Sequence, residues 1–339
     1  MKLRVGVIGL GQAWEVRHRP ALRALGDRYE IRAVCEEVGL RAKQVAQEFN
    51  AQSVDGFRAL ATRSDIDAIL VLAPQWYGSL PILAACDAGK AVYCAAAIDL
   101  DPDQALIVKR RVEDAGVAFM AEFPRRHAPA TLRLKELIAT RLGPVRLMFG
   151  HERRTHTRLK SPRAKASAPA HHPSRELLEL IDWCRYVVDR EPSYVSGFQH
   201  FVEAKRTKED YQSMTLDFSE PHHPGTGPAA QISIGRYIPA AWKEAIGFRA
   251  PAALQVSCEN GIAFVDLPSN LIWFDKAGRH EESLESERPV GEQLLSHFHR
   301  AVTSLVRKTC DLEDAYRALQ VLGAARESHQ TGTRVFLQF

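Results

Sequence analysis

The stretch Arg4-Val5-Gly6-Val7-Ile8-Gly9-Leu10-Gly11-Gln12-Ala13-Trp14, followed on to Glu36, decides how the rest of the chain is read. Val5 to Ile8 is a short apolar run that breaks at Gly9-Leu10-Gly11, and an amphipathic segment carrying Ala21, Leu22 and Leu25 follows. Strand, glycine turn and helix is the expected order. In such a unit the first glycine makes the tight turn, and the second lets backbone approach a pyrophosphate whose charge is held at the helix N-terminus. Gly9 and Gly11 fill these places, with Gln12 beside them. A second apolar run, Ile31 to Cys35, ends at Glu36, where an acid accepts hydrogen bonds from an adenosine ribose and disfavours a 2′-phosphate. NAD is therefore expected ahead of NADP, although Arg41 is close enough in sequence to accommodate a phosphate. Trp14 stands where a third small residue belongs, so its indole must either displace the helix or cover part of the phosphate site.

Working outward, helix and strand continue to alternate. Ala42, Val45, Ala46 and Phe49 have helical spacing, and Ala68 to Ala73 reads as a buried strand. Pro81 to Ala88 is an expected helix, Ala91 to Cys94 a strand, Gln104 to Ala115 a helix and Val117 to Glu122 a further strand. This is the rhythm of an α/β fold with a doubly wound parallel sheet. At Phe123-Pro124 it changes, which sets a Rossmann-type dinucleotide-binding domain over 1–123 and a C-terminal α+β domain for substrate and oligomerisation over 124–339. The second part opens with a helix from about Pro129 to Leu142. Strands are then expected at Val145 to Arg154, Tyr194 to Gln199, Tyr211 to Phe218, Ala230 to Tyr237, Ala253 to Cys258, Ile262 to Asp266 and Leu271 to Phe274. Asn260-Gly261 between two of them is a hairpin signal. Two late helices follow, one on Leu294, Leu295, Phe298, Val302 and Leu305, the other capped by Asp311 and using Leu319 and Leu322. An open, mainly antiparallel sheet with helices on one face is the expected result, its other face available to a homo-oligomer partner.

With 339 residues and 45% hydrophobic content the chain can bury sizeable cores. A formal charge of +4 spread along the sequence does not mark a nucleic-acid binder. Six cysteines without C-x-x-C spacing read as reduced, buried thiols. The N-terminal apolar run is too short for a secretory core, and no membrane span appears, so a cytoplasmic protein without membrane partners is expected. His171-His172 and His222-His223 lack a further ligand at recognisable spacing, so no metal is assigned. Trp76, Tyr77 and Tyr93 either line a ligand cleft or pack at strand ends, the commoner role of such aromatics.

The chain resembles the glucose-fructose oxidoreductase, inositol dehydrogenase and rhizopine-catabolism family, abbreviated Gfo/Idh/MocA. The resemblance is carried by Gly9-Leu10-Gly11, Glu36, Ser64-Asp65-Ile66-Asp67-Ala68 leading to Ala73-Pro74-Gln75, and Ala88-Gly89-Lys90-Ala91-Val92-Tyr93-Cys94. Ala115-Gly116-Val117, Arg125-Arg126, Asp182 and Ala324-Ala325-Arg326-Glu327-Ser328 extend it over nearly the full length. It implies a cofactor site at Gly9, Gly11, Gln12, Glu36, Ala73, Pro74 and Gln75, and a sugar, polyol or related polar small molecule as substrate. Family members oxidise, reduce or epimerise sugars and polyols, some reduce biliverdin and a few are regulators.

Three departures bear on chemistry. Where the family follows its fifth strand with Glu-Lys-Pro, its lysine implicated in catalysis, this chain has Ala95-Ala96-Ala97. Where it carries Asp-x-x-x-His on a second-domain helix, with histidine as general base, matching on Asp182 puts Arg175 and Glu179. Gly78 takes the place of a common histidine. A placed acid or base contributes about 10² to 10⁴ in rate, so losing both usual groups matters. At about 100° per residue, Arg175, Glu179, Asp182 and Tyr186 share one side of the replacement helix, opposite Leu177, Ile181, Cys184 and Val188. By pattern alone this is a solvent-facing stripe; by resemblance the helix lines the substrate cleft. The resemblance then makes Glu179 and Asp182 the candidates to face a polyhydroxy ligand, one as base, with Arg175 binding an acidic group or neutralising Glu179. Arg125-Arg126 begins the second domain, where an arginine reaches a ligand or bridges domains. Two functions follow: an NAD-dependent oxidoreductase with a non-standard active site, or an inactive or repurposed relative acting as ligand sensor, scaffold or interaction protein.

Overall fold

The computed structural model of the chain describes residues 2–72, 77–95, 101–156, 173–202, 209–304 and 312–339. They form two compact units, Met1–Pro124 with Arg288–Arg317 and Arg125–Glu287 with Ala318–Phe339.

The first unit is built on β1 (Leu3–Ile8), β2 (Tyr29–Cys35), β3 (Gln52–Ser53), β4 (Ala68–Val71), β5 (Ala91–Cys94) and β6 (Phe119–Ala121). All pair in parallel, in the order β3-β2-β1-β4-β5-β6. That is the order of a dinucleotide-binding sheet, and it reverses beside β1. Both faces are covered, so the strands read as continuous apolar runs rather than alternating ones. Val5, Val7, Leu70, Tyr93 and Met120 pack on one side. Ile8, Ile69, Val71, Val92 and Phe119 pack on the other. The helices are α1 (Arg19–Ala24), α2 (Gly39–Glu48), α3 (Phe57–Ala61), α4 (Leu80–Asp87) and α5 (Pro102–Ala115). Asp101 caps α5 by accepting from the Asp103 and Gln104 amides, which satisfies two donors that the first helical turn leaves open.

The second unit is a sheet of nine strands: β7 (Val145–His156), β8 (Tyr194–Phe201), β9 (Glu209–Asp217), β10 (Ala229–Pro239), β11 (Leu254–Cys258), β12 (Ile262–Asp266), β13 (Asn270–Asp275), β14 (Gly278–Ser283) and β15 (Val335–Phe336). Their order is β14-β13-β12-β11-β7-β10-β9-β8-β15. Only the β7 and β10 neighbours are parallel. The Asn260-Gly261 turn joins β11 to β12, with the Cys258 amide donating to the Gly261 carbonyl at 2.8 Å. Helices α6 (Pro129–Leu137) and α7 (Pro173–Val188) pack on this sheet. The segment after α6, expected to continue the helix to Leu142, widens into a π turn at Ile138–Leu142. Outward-facing Leu147, Phe149 and Phe274 stay exposed.

Helix α8 (Val290–Thr303) returns to the first unit, burying Leu294, Leu295 and Phe298 against its core. A division at 123/124 that treats everything later as one domain leaves out this return. Helix α9 (Leu312–Thr331) ends the helical part; its expected cap Asp311, and Leu305 after α8, lie outside the described residues. Cys35, Cys86, Cys94, Cys184 and Cys258 are free and buried, and burial pushes the Cys184 thiol up to about 12.

Candidate active site

The glycine turn leaves β1 at its C-terminal end. Gly9 has φ 84°, a conformation that favours glycine, and its amide donates to the Cys35 carbonyl at 2.9 Å. The Leu72 amide donates to the Ile8 carbonyl at 2.9 Å, so the ends of β1, β2 and β4 meet where such sheets bind ligands. Gly11 is half-buried and Gln12 exposed at the start of the helix. Glu36 turns back onto this loop: its Oε2 accepts the Leu10 amide at 2.5 Å, and Arg41 donates to the Leu10 carbonyl at 2.6 Å. Glu36 is buried and its Oε1 also accepts the Val38 amide at 3.5 Å, while a carboxylate has acceptor capacity beyond two such bonds. The structure thus brings Gly9, Gly11, Gln12 and Glu36 together, and they fit a dinucleotide. Ala73, Pro74 and Gln75, like Trp76, lie outside the described residues.

Trp14 takes the first of the two courses open to it. Trp14–His18 is a π-helical segment, closed by the Arg19 amide donating to the Trp14 carbonyl, and such a widened turn accommodates what an α-helix does not. The indole is fully buried and meets Phe49 edge-on at 5.7 Å between ring centroids. It fills the core beside the turn instead of covering it.

Below the same segment lies a charged cluster that sequence reasoning missed. Glu122, one residue past β6, is completely buried and pairs with Arg17 and with His18, whose Nε2 is 3.0 Å away. The Tyr93 hydroxyl is 3.3 Å from that Nε2. Burial opposes ionisation of Glu122, but the Arg17 and His18 charges and the hydrogen bonds from His18 and Tyr93 outweigh it and bring its carboxyl down to about 2. Burial and the neighbouring Glu122 charge hold the Tyr93 phenol well above its ordinary range. Tyr93 is therefore a core residue rather than a cleft-lining one. The one signal that marks Glu122 in the sequence is the signal that singled out Glu36, an acid ending an apolar strand.

In the second unit, α7 departs from the expected solvent-facing stripe, because it is buried on nearly every side. Leu178, Leu180 and Trp183 are enclosed together with Leu177, Ile181 and Cys184, and Asp182 is 1% exposed. Arg126 grips Asp182 through Nε at 2.6 Å and through Nη2, and Arg185 adds a contact at 3.6 Å. Arg126 also lies 5.3 Å over the Tyr186 ring. Arg125 pairs with Glu152 at 2.8 Å and Glu179 at 3.3 Å, and lies 5.4 Å over Trp183. Both arginines thus serve packing within this unit. Glu179 keeps 38% of its side chain exposed, and Arg175 is half-buried one turn earlier. Of the two carboxylates, Asp182 is committed to arginines and Glu179 retains an open side for a ligand.

A family model described as the oxidoreductase family with NAD-binding Rossmann fold matches residues 3–123. D-xylose 1-dehydrogenase (NADP(+)) 2 of Haloferax volcanii is 31% identical over 142 residues, 42% of each chain. Inositol 2-dehydrogenase of Rhizobium meliloti is 28% identical over 149 residues, 44% of each chain. The matches therefore span less than half of these curated relatives. The fold is similar over its whole length to solved structures at low identity. Aldose-aldose oxidoreductase from Caulobacter crescentus has a TM-score of 0.82 at 16% identity, over 99% of this chain and 100% of that one. Myo-inositol 2-dehydrogenase from Lactobacillus plantarum has a TM-score of 0.77 at 19% identity over both full chains.

Proposed function

We propose that the chain, whose residues 3–123 match the oxidoreductase family with NAD-binding Rossmann fold, is an NAD-dependent oxidoreductase of a sugar, polyol or related polar small molecule. The observation that carries this reading is the glycine turn: Gly9 at positive φ, Glu36 bracing Leu10, and Trp14 folded away into the core. The bound nicotinamide would supply the hydride acceptor; Gly9, Gly11 and Gln12 would receive the pyrophosphate and Glu36 the ribose. NADP is the lesser option, with Arg41 near enough to Leu10 and Glu36 to meet a 2′-phosphate.

Oxidising an alcohol also requires a group to take the hydroxyl proton. Glu179 is the α7 carboxylate with an accessible side, and in this proposal it accepts that proton while Arg125 orients it. Asp182 holds Arg126 and Arg185 in place rather than meeting substrate. The exposed apolar residues Leu147, Phe149 and Phe274 on the outer face of the second sheet favour a homo-oligomer joined through that face.

A second reading, a repurposed relative that senses a ligand or serves as a scaffold, is favoured by Ala95-Ala96-Ala97, where the family's lysine is absent. The test is a panel of aldoses and polyols with NAD or NADP, following reduced nicotinamide, for the native chain, Glu179→Gln and Ala96→Lys. The enzyme reading expects turnover that Glu179→Gln lowers by about 10² to 10⁴. Nucleotide binding without turnover by the native chain on any substrate, but with turnover by Ala96→Lys, would establish the repurposed relative.

A further inference from the structure

We infer that Glu122 is a positioning acid: from the end of β6, and through His18, it orders the glycine turn, and Ala95 after β5 is the neighbouring place from which an acid would do the same. Strands β5 and β6 are parallel neighbours paired at Cys94 and Ala121, so Ala95 and Glu122 are the equivalent next residues. The Glu122 amide donates to the Cys94 carbonyl at 2.8 Å, which locks that equivalence. Ala95 packs against the same core cluster as Tyr93 and Trp14, and Tyr93 shares the His18 Nε2 with Glu122. Adjacent strands are about 4.8 Å apart, within the reach of a glutamate side chain.

The chemistry of the cluster requires an acid at one of these two places. His18 is fully buried and Arg17 partly so, and burying such polar groups is disfavoured unless they are hydrogen-bonded or paired. The His18 Nδ1 lies 3.0 Å from the Ala13 carbonyl, which only accepts, so Nδ1 carries a hydrogen and Nε2 faces Glu122. Ala13 immediately precedes the π segment Trp14–His18 and follows Gly11 by two residues. A continuous path, Glu122 to His18 to the Ala13 carbonyl, therefore runs from the end of β6 to the turn. Helix α8 closes the outside: a Cβ at Gly291 would come within 2.6 Å of the Arg17 carbonyl.

The inference rests on the dinucleotide reading only for its affinity measurement; the ordering of the turn is tested without ligand. The experiment compares Glu122→Ala, Ala95→Glu and the double variant in the full chain, by amide hydrogen exchange of residues 11–19 and by NADH titration. Glu122→Ala should speed exchange there by about tenfold or more, beyond its effect on distant core amides, and weaken NADH by a similar factor. Adding Ala95→Glu should return both to within about threefold of the native chain, a rescue that a generic packing defect would not show. Unchanged exchange in Glu122→Ala, or a double variant as impaired as the single one, overturns the inference. Should Glu122→Ala fail to fold, recovery of folding by Ala95→Glu supports it and continued misfolding overturns it. A native chain that does not bind NADH defeats the cofactor reading, while the exchange results still decide whether Glu122 orders the turn.

Discussion

In the first unit Glu122 is enclosed with Arg17, His18 and Tyr93 and has no open side, whereas in the second unit α7 carries one carboxylate just as enclosed, Asp182, and one half-open, Glu179. Around β5 and β6 the remaining charge has become part of the core, so that region orders the turn. On α7 the arginines neutralise the buried acid and leave a second one facing outward, so that region retains a group able to move a proton. Burial, more than residue type, separates the enclosed acids from the one that keeps an exposed side.

The comparison can be broken by exchanging stability effects for activity effects. The largest stability loss should come from Glu122→Ala, which takes the carboxylate away from fully buried His18 at a cost of about 3 to 5 kcal/mol, measured by denaturant unfolding. Asp182→Ala should cost a similar amount, while Glu179→Ala should stay within about 1 kcal/mol and act on turnover instead. If Asp182→Ala unfolds no more readily than Glu179→Ala, the two carboxylates of α7 do not differ as described.

Acid should sharpen the same contrast. The Glu122 carboxyl is lowered from an ordinary 4.5 to about 2 in the folded chain, with burial opposing ionisation and Arg17 and His18 overcoming it. Its stabilisation is therefore fully present above pH 4.5 and is lost as the pH falls toward 2. At about 1.4 kcal/mol per pKa unit this is on the order of 3 kcal/mol. Unfolding followed across that range should be markedly flatter for Glu122→Gln; equal slopes would remove the ionised pair from the account. A smaller loss than at Glu122 is expected at Gly291→Ala, whose added methyl would press on the Arg17 carbonyl and cost about 1 to 3 kcal/mol. A thermal melt that does not move would mean α8 yields there.

Much of the fold was legible because its signals are local. Gly9-Leu10-Gly11 and the apolar runs marked the parallel sheet, and Ala91–Cys94 and Ile262–Asp266 appear with the expected bounds. β14 was not anticipated because Arg279, His280, Glu281 and Glu282 give an edge strand no apolar alternation, and β15 is only two residues long. The polar stripe of α7 was legible, but its environment was not. Arg126, which grips Asp182, lies 56 positions away, and no periodicity within a helix reveals a partner at that separation. The π turn escaped for a related reason: Trp14 announced a conflict, and only the core pocket beside Phe49 shows how it is relieved.

Everything proposed for the first unit depends on its binding a dinucleotide. Calorimetric titration of cofactor-stripped protein with NAD, NADH, NADP and NADPH tests it most directly, repeated with Glu36→Ala. The account predicts binding of NAD and NADH that weakens in the variant, with the phosphorylated forms weaker than either. No binding of any of the four by well-folded native protein would contradict it.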